Sequence, residues 1–223
     1  MIFRRVADDE TLVSWGNGRE MSYDQDIIHC LIWNVYKGSR DKVFPQELHY
    51  YLQGKDLALF QEVVADQKMP ELLKEICLHW GFHMAQSFRT LRGHTTGVLI
   101  GGHSQVDRNS FLRFKEREFF FFTPKMTLFS EITWKSVSVL VVCTHVINFV
   151  TNAAFTKALY EIAEQIQKHQ GPVLLAGDFN TWNAKRNIVM RQILGDVGME
   201  QVSFAKDERF LQLHHVFVRG IIV

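Results

Sequence analysis

The sequence predicts a mixed-sheet α/β domain. Short runs rich in β-branched and aromatic residues, each bounded by turn residues, mark strands at 27–35, 56–64, 82–88, 96–101, 126–134, 137–144, 172–179 and 215–219. Helical patterns are interspersed among them without strict alternation, which disfavours a barrel of repeated units. The stretch 126–144 reads as a hairpin turning near Lys135 and Ser136.

Two helices are legible in detail. Pro70 suits the first turn of PELLKEICLHWG, and Gly81 suits its exit. Phe155, Leu159, Ile162 and Ile166 are spaced four, three and four apart, one apolar stripe on a helix over about 152–169 that Gly171 and Pro172 stop. With 223 residues, 47% of them apolar, the chain is long enough for one domain with a large core. Its polar first 26 residues read as an N-terminal arm, and 27–223 as the domain.

A net charge of +1 argues neither for nor against a nucleic-acid partner. The three cysteines, Cys30, Cys77 and Cys143, lack metal-type spacing, and their odd number forbids a complete set of internal disulfides. Reduced thiols in a cytoplasmic protein are expected. No run of 18 apolar residues and no signal-length apolar stretch occurs, so neither secretion nor a membrane span is expected.

Function is signalled where strands stop. Asn34 follows LIW, Gln61 and Glu62 follow LALF, His145 follows VLVVCT, and Asp178 and Asn180 follow VLLAG. Each alone reads more often as a turn residue, a solvated strand end or a hydrogen-bonded structural histidine than as a site residue. Together they are expected to share one rim, because strand ends of an open α/β sheet converge. Metal-assisted phosphoester hydrolysis suits the set. Glu62 offers a hard oxygen to Mg²⁺ or Mn²⁺. Asp178 can orient or deprotonate a water, while Asn34, Asn180 and His145 face the phosphate.

The segments WNVYKG (33–38), LALFQEV (57–63), TTGVLI (95–100), CTHVINF (143–149), GPVLLAGDFNTW (171–182) and LHHVFVRG (213–220) resemble the endonuclease/exonuclease/phosphatase superfamily, and most closely its small bacterial YafD-type members. The resemblance implies a four-layer αββα sandwich of two mixed sheets flanked by helices, Mg²⁺-dependent phosphoester cleavage, and a phosphoester substrate, nucleic acid among the candidates. It matches Glu62 to the metal-binding glutamate and Asn34 to the asparagine beside it. It matches His145 and Asn180 to phosphate contacts and Asp178 to the residue that positions the water. Asn148 is a lesser candidate for a phosphate contact.

The superfamily's closing Ser-Asp-His motif is absent, since no aspartate here precedes a histidine. His214 stands where an aspartate pairs with that terminal histidine, and is itself a candidate phosphate contact. Three readings follow: a hydrolase of impaired activity, an inactive binding module on the same fold, or a fragment of an active enzyme. Without the family's last strand, the apolar stretch VFVRGIIV is expected to be an open edge that invites pairing with another chain, and a homodimer, a swapped strand or a truncated chain would each account for it. Lys37, Arg89, Arg92, Lys125, Lys185 and Arg186 are rim cations able to meet phosphate. Trp182 is expected to pack beneath its loop, and Phe119 to Phe122 to be at least half core.

Overall fold

A computed structural model describes residues 4–16, 18, 26–36, 43–66, 68–91, 93–103, 106–115, 124–148, 150–204 and 212–223. Lys37, Arg92 and Phe119 to Phe122 lie outside these residues. Two six-stranded sheets form the centre. The first comprises β1 (Arg4–Arg5), β2 (Leu12–Gly16), β3 (Cys30–Asn34), β4 (Leu57–Ala65), β5 (Gly81–Arg89) and β6 (Thr95–Gly102), in the order β1-β5-β6-β4-β3 with β2 also on β5. The second comprises β7 (Val106–Arg113), β8 (Met126–Trp134), β9 (Val137–His145), β10 (Val173–Asp178), β11 (Glu200–Gln201) and β12 (His214–Arg219), in the order β11-β12-β10-β9-β8-β7.

Strand periodicity builds the layers. In β9, Val139, Val141 and Cys143 face the first sheet, meeting Leu57, Leu59 and Ile100 in a core between the sheets. The alternate residues Leu140 and Val142 face outward, where they pack with Phe155, Leu159, Ile162 and Ile166. Those four lie on α3 (Asn152–Gln167), which Thr151 caps by accepting a hydrogen bond from the Ala154 N–H at 3.2 Å. Beside α3 lies α4 (Ala184–Gly195). Helices α1 (Phe44–Leu52) and α2 (Lys68–Ile76) cover the outer face of the first sheet through Phe44, Leu48, Met69 and Leu73. The result is the expected αββα sandwich.

Several local expectations change. The described part of the presumed arm holds β1 and β2, and β2 pairs with β5 from Leu12↔Ala85 to Gly16↔Gly81. Helix α2 begins before Pro70, where the Asp66 carboxylate accepts from the Met69 N–H at 3.0 Å, and ends at Ile76, short of Gly81. The hairpin is as expected: Lys135 and Ser136 both take positive φ, 48° and 64°, as a two-residue turn between right-twisted strands requires.

The edge beside β12 is not open. Strand β11 pairs there, Glu200↔Val218 and Gln201↔Phe217, and the Val202 N–H continues the ladder to the Val216 carbonyl. The expected dimer edge is already occupied by the chain itself, so a homodimer through it loses its physical reason.

Candidate active site

A bulge in β4 aims Glu62. Phe60 pairs with Leu99 and Val63 with Gly97, so Gln61 and Glu62 together oppose Val98 alone, and Glu62 takes φ 57°. Gln61 stays buried, donating to the Leu59 carbonyl at 3.2 Å and to Cys143 Sγ at 3.3 Å. Asn34 ends the neighbouring β3, in register with Gln61.

Three strands of the second sheet set a row. Asp178 is the register partner of His145 on one side and of His214 on the other. Cys143, Ala176 and Val216, each two positions away, belong to the core between the sheets, so alternation aims all three polar residues at the same inter-sheet face. The next position inward on β10 is Gly177, with φ 150°; a Cβ there would sit 1.9 Å from the Thr144 carbonyl oxygen. That glycine lets β9 and β10 approach closely behind the row.

The loop after β10 is an Asx turn as well as a candidate site. Asp178 Oδ1 accepts from the Asn180 N–H at 3.0 Å, and Asn180 takes φ 51°, a left-handed conformation that asparagine tolerates. Asp178 Oδ2 accepts from Asn34 Nδ2 at 3.2 Å, across from the first sheet. His145 Nε2 lies 3.8 Å from that same oxygen and 3.9 Å from Glu62 Oε1. Asn34, Glu62, His145, Asp178 and Asn180 are thus gathered from four segments into one cluster. Asn180 differs in one respect from a simple phosphate contact: its Nδ2 donates to the Val146 carbonyl at 2.8 Å, so its amide also ties the loop after β9. Asn148 is half-buried in that same loop.

Lys125 joins the cluster. Its Nζ lies 3.1 Å from His145 Nε2 and 3.6 Å from Glu62 Oε1, with 15% of its side chain exposed. In the sequence it stands among several rim cations with nothing to single it out. The others diverge. Arg89 pairs with Glu10, and Lys185 is exposed on α4. Arg186 is 1% exposed, and burial lowers its pKa. It donates to the carbonyls of Asn180 at 3.1 Å and Val150 at 2.8 Å, between the rings of Phe155 and Trp182. It is a buried latch on the site loop, not a phosphate contact. Trp182, expected beneath the loop, is 48% exposed over that guanidinium.

His215 points to the other face, as strand alternation requires. The Thr181 hydroxyl donates to the Gln212 carbonyl at 2.8 Å, so it accepts from His215 Nε2, leaving Nδ1 to accept from Gln201 Nε2 at 2.9 Å. With the Gln201 amide so oriented, these bonds fit a neutral imidazole protonated on Nε2. Of the two adjacent histidines, only His214 shares the face of Asp178. The three cysteines are free, and burial pushes the Cys30 and Cys143 thiols up to about 12 and that of Cys77 up to about 11.

The donors are mostly hard oxygens: the carboxylates of Glu62 and Asp178 with amides beside them. No group of three or more His, Cys, Asp or Glu among the described residues forms a closed metal cage. The set fits a hydrated hard cation held by one or two carboxylates, and does not fit a zinc cluster.

A model of the Endonuclease/Exonuclease/phosphatase family matches residues 31–215. The chain belongs to that family. A relative, a UPF0294 protein of Vibrio campbellii, is 31% identical over 201 residues, covering 87% of this chain and 69% of that protein. Among solved structures, an endonuclease/exonuclease/phosphatase from Beutenbergia cavernae superposes with a TM-score of 0.66 at 15% identity, over 86% of this chain and 64% of the other. A humanized D. rerio TDP2 superposes with 0.62 at 16% identity, over 86% and 83%. The structural likenesses establish the fold, and family and fold together support a phosphoesterase-like function. No helix among the described residues is long and apolar enough to cross a membrane.

Proposed function

We propose that the chain is a divalent-metal-dependent phosphoester hydrolase. The observation that carries this reading is that His145 Nε2 lies 3.9 Å from a Glu62 carboxylate oxygen and 3.8 Å from one of Asp178, with Asn34 bonded to Asp178. Glu62 would hold Mg²⁺ or Mn²⁺, with Asn34 beside it. When bound, such an ion polarises a phosphoryl oxygen and steadies the leaving oxygen.

The chain's own residues supply the rest. Asp178, its two oxygens fixed by Asn34 and the Asn180 N–H, orients the attacking water and takes its proton. His145 and Asn180 contact the phosphate, with Asn148 and His214 as further contacts, and the Lys125 ammonium adds positive charge where charge develops. No aspartate directly precedes a histidine in this sequence, so the closing Ser-Asp-His motif is not among these residues. The 223 residues taken alone are therefore expected to turn over slowly, because losing one stabilising donor costs ~10²–10³ in rate. The free thiols support a reducing compartment such as the cytoplasm.

The test is hydrolysis of bis(p-nitrophenyl) phosphate and of plasmid DNA with Mg²⁺ or Mn²⁺, comparing wild type with Glu62→Ala and Asp178→Ala. Metal-dependent turnover that both substitutions abolish is expected. Equal rates in all three proteins would sink the proposal.

A further inference from the structure

A cavity of about 290 Å³ opens beside the candidate site, lined by Arg191, Gln201, Ser203, Phe204, Gln212 and His214. We propose that it is a subsite for a second phosphoryl group of the substrate, an inference that rests on the phosphoester reading above.

Position is the first argument. His214 is the register partner of Asp178, and it also lines the cavity. Neighbouring strands lie ~4.8 Å apart, so a group seated in the cavity is only a short linker away from a phosphoester held at Asp178.

Chemistry is the second. Among the described residues the lining carries a guanidinium, a hydroxyl, two carboxamides and an imidazole, and no carboxylate. Arg191 has no carboxylate partner among the described residues, and a guanidinium fork matches phosphate geometry in two parallel bonds. The volume lies at the low end of ligand pockets, ~300–1,000 Å³. That suits one anionic group with part of its linker better than a whole nucleotide.

Support from behind is the third. Gln201 is tied to His215, His215 to Thr181, and Thr181 to the Gln212 carbonyl, so two walls of the cavity are joined through one hydrogen-bonded chain. Arg191 projects from α4, whose N-terminus Asn183 caps by accepting from the Arg186 N–H at 2.9 Å. The cation and the amides are therefore held by separate rigid elements. Bisphosphates and consecutive phosphates of a nucleic-acid strand share the required chemistry.

Calorimetric titration without divalent metal tests this independently of turnover. In one arm, a thymidine dinucleotide with a terminal phosphate is compared with the same dinucleotide lacking it; in the other, inorganic pyrophosphate is compared with inorganic phosphate. The extra phosphate should tighten binding to wild type about tenfold, a gain lost in Arg191→Gln and kept in part in Arg191→Lys. A gain confined to the dinucleotide arm assigns the subsite to strand phosphates, and one confined to pyrophosphate assigns it to a bisphosphate. No gain in either arm, or the same gain in Arg191→Gln, overturns the inference. Hydrolysis of bis(p-nitrophenyl) phosphate by wild type but not by Asp178→Ala would leave the parent reading standing in that event. Failure of that hydrolysis alone would leave the binding subsite standing.

Discussion

Asn34 and Asp178 lie 144 positions apart in the chain and 3.2 Å apart in space, joined by a hydrogen bond from the Asn34 amide to the Asp178 carboxylate. The bond crosses from one sheet to the other and fixes which way the carboxylate faces. Asn34→Asp replaces a donor by a like charge at the same position. Turnover should fall ~10²-fold or more, and Asn34→Ala should fall less, because it removes the bond without adding repulsion. Steady-state kinetics on bis(p-nitrophenyl) phosphate would check the order; Asn34→Asp more active than Asn34→Ala contradicts the orientation role.

Lys125 and a divalent cation are drawn to the same carboxylate, since the Lys125 ammonium lies 3.6 Å from Glu62 Oε1. Replacing the ammonium with an apolar chain, Lys125→Met, removes that competing charge. Mg²⁺ or Mn²⁺ should then bind several-fold more tightly by calorimetry, while turnover drops ~10²-fold through loss of a cation near the phosphate. Weaker metal binding in Lys125→Met would show that the lysine supports the site by packing instead.

Gly177→Ala should be among the most damaging single changes in the chain. The new Cβ would meet the Thr144 carbonyl oxygen at 1.9 Å, and φ of 150° disfavours any residue with a side chain. Neither strand can yield without breaking the β9–β10 ladder that aligns His145 with Asp178. A loss of about 4 kcal/mol or more is expected in urea unfolding.

How legible such features were depends on period. Glu62, His145, Asp178 and Asn34 stood out because each ends an apolar run, and the two-residue period of the strands, read from Cys143 and Ala176, places His145 and Asp178 on one face. Strand β7 carries too few apolar residues, in VDRNSFLR, to announce itself, and β2, LVSWG, is a single five-residue run inside an otherwise polar lead-in. Helix α4 buries an arginine where a pattern search expects a hydrophobe. Lys125 is recognisable only once β8 is seen to bring it against Glu62. The occupied edge at β12 depends on a two-residue strand, too short to carry any periodic signal.

Arg186 offers a stability test of the site loop. Its guanidinium satisfies the Asn180 and Val150 carbonyls and lies 4.6 Å from the Phe155 ring centre. Charged hydrogen bonds of this kind contribute ~1.5–3 kcal/mol each, not additively. Arg186→Ala should cost about 3 kcal/mol and loosen Asn180, visible as faster amide exchange at residues 180–182. Arg186→Lys should recover only part, because an ammonium cannot reach two carbonyls in a planar fork.

The last prediction concerns acid. His83 Nδ1 accepts from Asn109 Nδ2 at 3.0 Å, and Asn109 is held in that orientation because its Oδ1 accepts from the Ser130 hydroxyl at 2.6 Å. Ser14 Oγ lies 2.8 Å from the same Nδ1. The network fits a neutral ring, since protonating Nδ1 would turn the acceptor into a second donor facing the Asn109 amide. Burial lowers the His83 pKa accordingly, and burial lowers that of His103 as well. Above the unfolded value of ~6.5 both states are neutral, and these histidines leave stability unchanged. As pH falls from there towards the lowered folded values, the unfolded chain takes up protons that the folded chain refuses, so stability declines. Urea midpoints measured at pH 7.5 and 5.5 should therefore fall on acidification, and His83→Gln should flatten that decline while retaining a partner for Asn109. An unchanged decline in His83→Gln would mean that the proton uptake lies elsewhere.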